Sequence, residues 1–226
     1  PENDASAQWL PCTSRNVTNF SGTGYFFARK LHKELGVPVG IIGASWGGTP
    51  ITPWIPAEGY RDTPSLKWAL KRIYNGRPST DVGKEKWERY LKELAEWLPK
   101  AKKALANGET PTDRPEIPTE LWITNIVPTK TFNGMINPLI PYAIRGVIWD
   151  HEDNPRRPAE LHAKQKALID SWRKLWKQGD FPFYFAQITN SGKHDSKPEG
   201  GDKIAQLREY HQKCLSITNT GMAVTM

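Results

Sequence analysis

The chain has 226 residues, 38% hydrophobic and 24% charged, with a formal net charge of +7. That length holds one domain or two small ones with a sizeable core, and ten Trp, seven Tyr and seven Phe argue against disorder. No apolar run approaches the roughly 18 residues of a membrane helix, and two cysteines, Cys12 and Cys214, are too few for a disulfide framework or a structural zinc site.

The chain starts at Pro1 with no signal-peptide pattern and stops inside the apolar run Met222–Met226, so a piece of a larger unit is expected. Asn16-Val17-Thr18 and Asn19-Phe20-Ser21 match glycosylation acceptors, which matters only in a secreted eukaryotic protein. A helix is predicted from Ser21, with Gly24, Phe27, Leu31 and Leu35 on one face and Gly36 at its C-terminal cap. Val37-Pro38-Val39-Gly40-Ile41-Ile42-Gly43 follows, short and continuously apolar, as in a strand buried on both faces. From about Ile55 to Pro128 the pattern changes to helices. One follows Thr63-Pro64. The other carries Trp87, Leu91, Leu94, Leu98, Ala101 and Leu105 at alternating steps of four and three, with Pro99 interrupting, and reads as half of a packed helical hairpin. Between Arg61 and Glu116 lie thirteen Lys/Arg and nine Asp/Glu of mixed order, the pattern of a solvated face. A nucleic-acid groove wants a one-sided basic stripe, so no nucleic acid and no membrane is expected as a partner.

Ala143–Trp149 and Phe183–Ile188 read as further buried strands, and the run from Met222 as another. A helix opening at Pro158 lines up Leu161, Leu168, Trp172 and Leu175, and a second from about Asp202 to Leu215 lines up Ile204, Leu207, His211 and Cys214. Helix and buried strand alternate, which calls for an α/β fold: a parallel sheet with helices on both faces and right-handed crossovers. In such sheets ligands bind beyond the carboxyl ends of the strands. Three polar loops lie there: Ala44–Thr49, Asp150–Asn154 and Thr189–Asp195.

Gly43-Ala44-Ser45-Trp46-Gly47 fits the G-x-S-x-G elbow of an α/β-hydrolase, with Ser45 as nucleophile. That elbow runs straight into a helix, and Pro50, Pro53 and Pro56 are spaced to prevent one. The plainer reading is a tight glycine turn whose N–H groups face a ligand. Asp150 or Asp195 with His211 would complete the order Ser, acid, His, but nothing in the spacing selects them. In the second loop Asp150, Glu152 and Asp153 are suited to acid–base work or a cation, yet no zinc spacing accompanies them. Asn154 is a hydrogen-bond donor for an anion or a turn cap. Trp9, Trp46, Trp54 and Trp149 fall at or near the loops, where an aromatic ring either stacks on a sugar or belongs to the core.

A set of blocks in order carries a resemblance. It comprises Phe20–Leu31 leading into Gly36–Ile42, Ser45-Trp46-Gly47-Gly48-Thr49-Pro50 with Trp54, and Phe132-Asn133-Gly134-Met135-Ile136 with Pro138–Ile144. Gly179–Phe185, Leu207-Arg208-Glu209 and Asn219–Thr225 complete it. Together they resemble the sialate O-acetylesterase family of SGNH hydrolases over nearly the whole chain outside the helical stretch. The resemblance implies a flavodoxin-like, three-layer parallel sheet over 1–226 with a helical insertion at about 55–128, incomplete at both ends. It implies a serine esterase that removes acetyl groups from sialic acid or a polysaccharide, without metal or cofactor. By this match Gly47 and Asn154 are the oxyanion donors, each worth roughly 3 kcal/mol, Trp46, Gly48, Trp54 and Glu152 line the substrate, and Ser45 is not the nucleophile. The family's nucleophile stretch, Gly-Gln-Ser-Asn-Met, and its Asp-x-x-His segment are not found in this chain. The block Trp-Tyr-Gln-Gly-Glu-Ser-Asn stands here as Trp149-Asp150-His151-Glu152-Asp153-Asn154, one residue shorter. Three readings follow: the central piece of an esterase completed by a companion segment or second chain; an inactive scaffold that binds sugar or a partner; and a hydrolase using Ser45. The resemblance leans toward a secreted or periplasmic compartment.

Overall fold

The computed structural model describes residues 8–121, 126–150, 158–189 and 203–224. It contains one parallel sheet, ordered β1 (Val147–Trp149), β2 (Phe183–Ala186), β3 (Thr220–Ala223), within an α/β arrangement. Val147 pairs with Phe183 and Phe183 with Thr220, so the strands start level. Helix α5 (Leu161–Trp176) connects β1 to β2, and α6 (Lys203–Lys213) lies between β2 and β3.

Local chemistry sets the helix ends. The Ser21 hydroxyl accepts from the Gly24 N–H at 3.2 Å to start α1 (Gly22–Leu35). Gly36, at φ 66°, ends it by donating its N–H to the His32 carbonyl. Three further helices, α2 (Ala57–Asp62), α3 (Lys67–Gly76) and α4 (Asp81–Ala106), occupy the stretch before β1. Thr80 caps α4 through the Gly83 N–H. Pro99, expected to interrupt this helix, does not: α4 continues through it. The indole of Trp97 donates to the Thr112 carbonyl at 2.7 Å, strapping the returning loop across α4. The predicted seam divides, because Ala101 is buried while Leu91, Leu98 and Leu105 face solvent.

Alternation in the strands sorts side chains between two very different faces. Trp149, Phe183 and Phe185 are buried, and Trp172 of α5 meets Trp149 at 6.0 Å and Phe183 at 6.1 Å between ring centres. His211 of α6 stacks on Phe185 of that same face. Ile148 and Tyr184, on the other face, are 36% and 43% exposed. Their described cover is thin, an edge contact of Phe27 from α1 on Tyr184 at 6.5 Å. The continuous apolar runs predict cover on both faces. The difference follows from strand order: three parallel strands laid side by side in chain order, with right-handed crossovers, carry both connecting helices on one face.

The predicted strand Val37–Gly43 does not form a strand and has no sheet partner among the described residues. Its contacts are with side chains. Ile41 lies against Gly24, and the Trp9 ring lies against Gly40.

Buried ionic chemistry fixes where β2 and β3 begin. The Arg173 guanidinium, inside the fold, donates to the carbonyl oxygens of Phe181, Thr218 and Asn219 at 2.8 to 3.2 Å. His211 is fully enclosed. Burial, helped by the nearby charge of Arg208, pushes its imidazole down to about 4. The folded state therefore holds it neutral, whereas the unfolded chain protonates it near 6.5. The stability this contributes is whole above pH 6.5 and is lost as pH falls toward 4. Urea unfolding is expected to be up to about 3 kcal/mol less favourable to the folded state at pH 4 than at pH 7 through this group alone. His211→Phe should flatten that part of the profile, and an unchanged slope would exclude His211 as its source.

Candidate functional site

Parallel strands direct the search to their carboxyl ends. β1 leads there into Asp150, and β2 into Gln187-Ile188-Thr189. The segment 37–43 leads into the loop Ala44–Pro50, which turns at Gly47-Gly48. Gly48 has φ 73°, a conformation that L side chains resist. Open space surrounds the positions a Cβ would take on Gly47 and Gly48, and Trp46 beside them is 53% exposed.

The loop is held from beneath. Thr49 donates its hydroxyl to the Trp46 carbonyl at 2.7 Å and accepts from the Trp54 indole at 3.0 Å. Trp54 in turn meets Trp149, the last residue of β1, edge to face at 5.6 Å. Trp172 of α5 donates its indole N–H to the Trp54 carbonyl. One tryptophan thus ties the glycine turn to the end of β1, and so to the start of the Asp150 loop. Trp54 and Trp149 are buried core residues, while Trp46 and Trp9 are exposed. The four tryptophans therefore divide into two that support and two whose rings are open to solvent.

Ser45 is exposed and forms no hydrogen bond with another described residue. The chain after it makes only a single short turn, Thr52–Trp54, before α2 begins at Ala57. The strand–turn–helix of a nucleophile elbow is not formed. Glu152, Asp153, Asn154, His194 and Asp195 lie outside the described residues, as does the remainder of the third loop. Among the described residues no group of three or more His, Cys, Asp and Glu is placed to hold a metal ion. No described helix is long and apolar enough to cross a membrane. A cavity of about 320 Å³ lies at the opposite end of the sheet, lined by His162, Lys166, Asp170, Arg173, Asp180 and Ser216. Its Arg173 is already committed to backbone carbonyls.

Two features here escape a reading of the sequence. Thr49 positions the turn, and only its place after Trp46-Gly47-Gly48 hints at this. Thr129 is buried with φ 66°, an unusual conformation for a β-branched residue. Its carbonyl accepts the Asn133 N–H, and the chain then makes a π-helical turn, Phe132–Ile136, packed near the Thr52–Trp54 turn. Turns of this kind recur at functional sites, and here Asn133 and Gly134 are exposed.

No protein-family model matches the chain. The sequence is 28% identical over 247 residues to sialate O-acetylesterase of Homo sapiens, covering 97% of this chain and 36% of that protein. It is 29% identical over 227 residues to sialate O-acetylesterase of Rattus norvegicus, covering 93% and 38%. The fold superposes on the crystal structure of a carbohydrate acetylesterase from Xanthomonas citri with a TM-score of 0.62 and 25% identity, over 98% of this chain and 38% of that one. The chain is thus similar to the sialate O-acetylesterases over nearly its whole length. It spans a little over a third of the length of the relatives it matches.

The glycine turn gives a direct test of its geometry. Gly48→Ala is expected to cost about 1 kcal/mol, because a left-handed conformation is imposed on an L side chain. Gly47→Ala, with equal space and no such φ, should stay within about 0.5 kcal/mol of the parent. Chemical denaturation of the pair measures the difference, and equal values would mean that the turn relaxes.

Proposed function

We propose that residues 1–226 form part of the catalytic domain of a carbohydrate O-acetylesterase of the SGNH type, contributing oxyanion donors and sugar contacts but not the nucleophile. The observation that carries this is the tie from Gly47-Gly48 through Thr49 and Trp54 to Trp149. It sets the glycine turn beside the segment that leads to Asn154. In this reading a serine from outside these residues attacks the acetyl carbonyl. A histidine takes its proton and an aspartate orients the histidine. The negative oxygen that develops is received by the Gly47 N–H and the Asn154 side chain. Collapse expels the sugar hydroxyl, which takes the proton from the histidine. Water, activated by the same histidine, then releases acetate from the serine. Gly48 and Trp46 present an open surface suited to a sugar ring, Glu152 a carboxylate for its hydroxyls, and Trp54 acts by support.

The experiment is an acetate-release assay on an acetylated sugar, with the chain alone and with its natural flanking sequence. The longer protein should turn over, and Asn154→Ala in it should lower kcat by roughly 10²- to 10³-fold with little change in KM. Glycan binding without release in both forms would favour the inactive sugar-binding reading, to which the exposed Trp46 also lends itself. Labelling of the chain alone by a fluorophosphonate, lost in Ser45→Ala, would instead favour Ser45.

That residues 37–43 have no sheet partner among the described residues supports a second part of the proposal. We infer that a parallel strand from outside these residues lies between this segment and β1, completing a flavodoxin-like sheet. Both flanks then gain backbone partners, which an edge strand otherwise lacks. Hydrogen exchange at the amides of residues 39–43 should slow by at least about 100-fold when the flanking polypeptide is present. Unchanged exchange would remove the added strand while leaving the acetylesterase reading open.

A further inference from the structure

Helix α4 carries a feature that neither the sheet nor the site uses. It is 26 residues long, roughly 39 Å. Leu91, Leu98 and Leu105 are 56%, 48% and 64% exposed. Seven-residue spacing keeps all three on one side of the helix, drifting only about 20° per step. This stripe is one half of the seam that the sequence pattern predicts. The other half, Trp87, Leu94 and Ala101, is covered at least in part by the protein itself. The stripe is flanked by Lys84, Glu88, Ala95 and Lys102.

Those residues have a symmetry of their own. Leu91 and Leu98 lie about one helical turn to either side of a point beside Ala95. Glu88 and Lys102 lie about two turns to either side, with opposite charges. Lys84 and Leu105 lie about three turns to either side. An antiparallel copy of the helix, related by a two-fold axis at that point, brings each residue opposite its counterpart. Leu91 meets Leu98 twice, Glu88 meets Lys102 twice, and Leu105 meets the methylene stem of Lys84. Ala95, the smallest side chain on the stripe, falls where the helices approach most closely. A parallel pairing would set Glu88 against Glu88 and Lys102 against Lys102.

We propose that this face of α4 is a self-association surface through which two copies of the chain pair antiparallel, centred on Ala95. The leucines supply the affinity, and the Glu88–Lys102 pairs supply orientation and register. Glu88 already lies 3.8 Å from Lys84 across one helical turn, with both side chains about two-thirds exposed. The pairing therefore redirects a solvated carboxylate instead of burying one. A single helix pair is small beside a standard interface of about 1,600 Å², so the dimer is a weak one. This proposal does not depend on the acetylesterase reading.

Sedimentation velocity over about ten micromolar to about one millimolar chain tests it. The mass should rise from 25.6 kDa toward twice that value. Leu98→Glu, and the gentler Leu98→Ala, should weaken association by at least about 10-fold, with circular dichroism confirming that α4 is retained. Glu88→Lys or Lys102→Glu alone should weaken it a few-fold, and the two together should restore it. A monomer at every concentration overturns the proposal. So does a dimer indifferent to Leu98→Ala, or a double reversal no better than either single one.

Discussion

The indole of Trp172 is the point on which the rest of the described fold depends. It donates to the carbonyl of Trp54, 118 residues earlier in the chain. Its ring contacts Trp149 of β1, Phe183 of β2 and Phe132 of the π-helical turn. One side chain on α5 therefore joins the sheet, the turn before α2 and the connection into β1. Such edge and tilted contacts add of order 1 kcal/mol each beyond the area they bury. The buried hydrogen bond makes the position of Trp54 specific, because a polar carbonyl in a dry core is costly without a donor. Gly59 lets the same junction close, since a Cβ there would sit 2.8 Å from the Ala167 carbonyl of α5. Fixing Trp54 fixes Thr49, and Thr49 fixes the glycine turn.

The elements were legible for local reasons. Ser21 and Gly36 mark the ends of α1 by capping chemistry, and the structure places both in those roles. Leu161, Leu168 and Trp172 share a face by their spacing and are all buried. The strands at 147, 183 and 220 lie inside or beside the apolar runs that announce them. What lies above each strand was not legible. An apolar run reports that a strand tolerates burial, not which face is covered. Cover is decided by the order of strands and the hand of their connections, which belong to the whole sheet. The same limit applies to α4, where a leucine seam reads as internal packing and half of it is turned outward.

The site was legible in a different way. The turn at Trp46-Gly47-Gly48 follows from its glycines, and the proline spacing after it correctly denies Ser45 a helix. The support was hidden, because Thr49, Trp54 and Trp172 act through partners that spacing does not bring together. Trp54 shows how ambiguous an aromatic beside a loop is. Its sequence position suits stacking on a ligand, while its indole is committed to Thr49 and its ring to Trp149. Thr129 is harder still, since nothing in Pro128-Thr129-Lys130 announces a left-handed backbone.

The apolar surfaces left open are of two kinds, and they ask for different partners. Residues 38–43 expose side chains and carry backbone groups with no hydrogen-bond partner among the described residues. Such a segment is satisfied by a strand, whose amides and carbonyls complete the ladder. The backbone of α4 is largely satisfied within the helix, Pro99 withholding only the donor for the Ala95 carbonyl, so its leucine stripe has the most to gain. That surface selects by side-chain shape and by the order of charges, which a strand does not match and an antiparallel helix does. The two surfaces need not compete for one occupant. The sheet segment is tied by Trp9 and α1 to the site region, whereas α4 packs against α3 and the loop held by Trp97. Completing the sheet and pairing through α4 are therefore separable events, one governed by backbone hydrogen bonds and the other by leucine contacts.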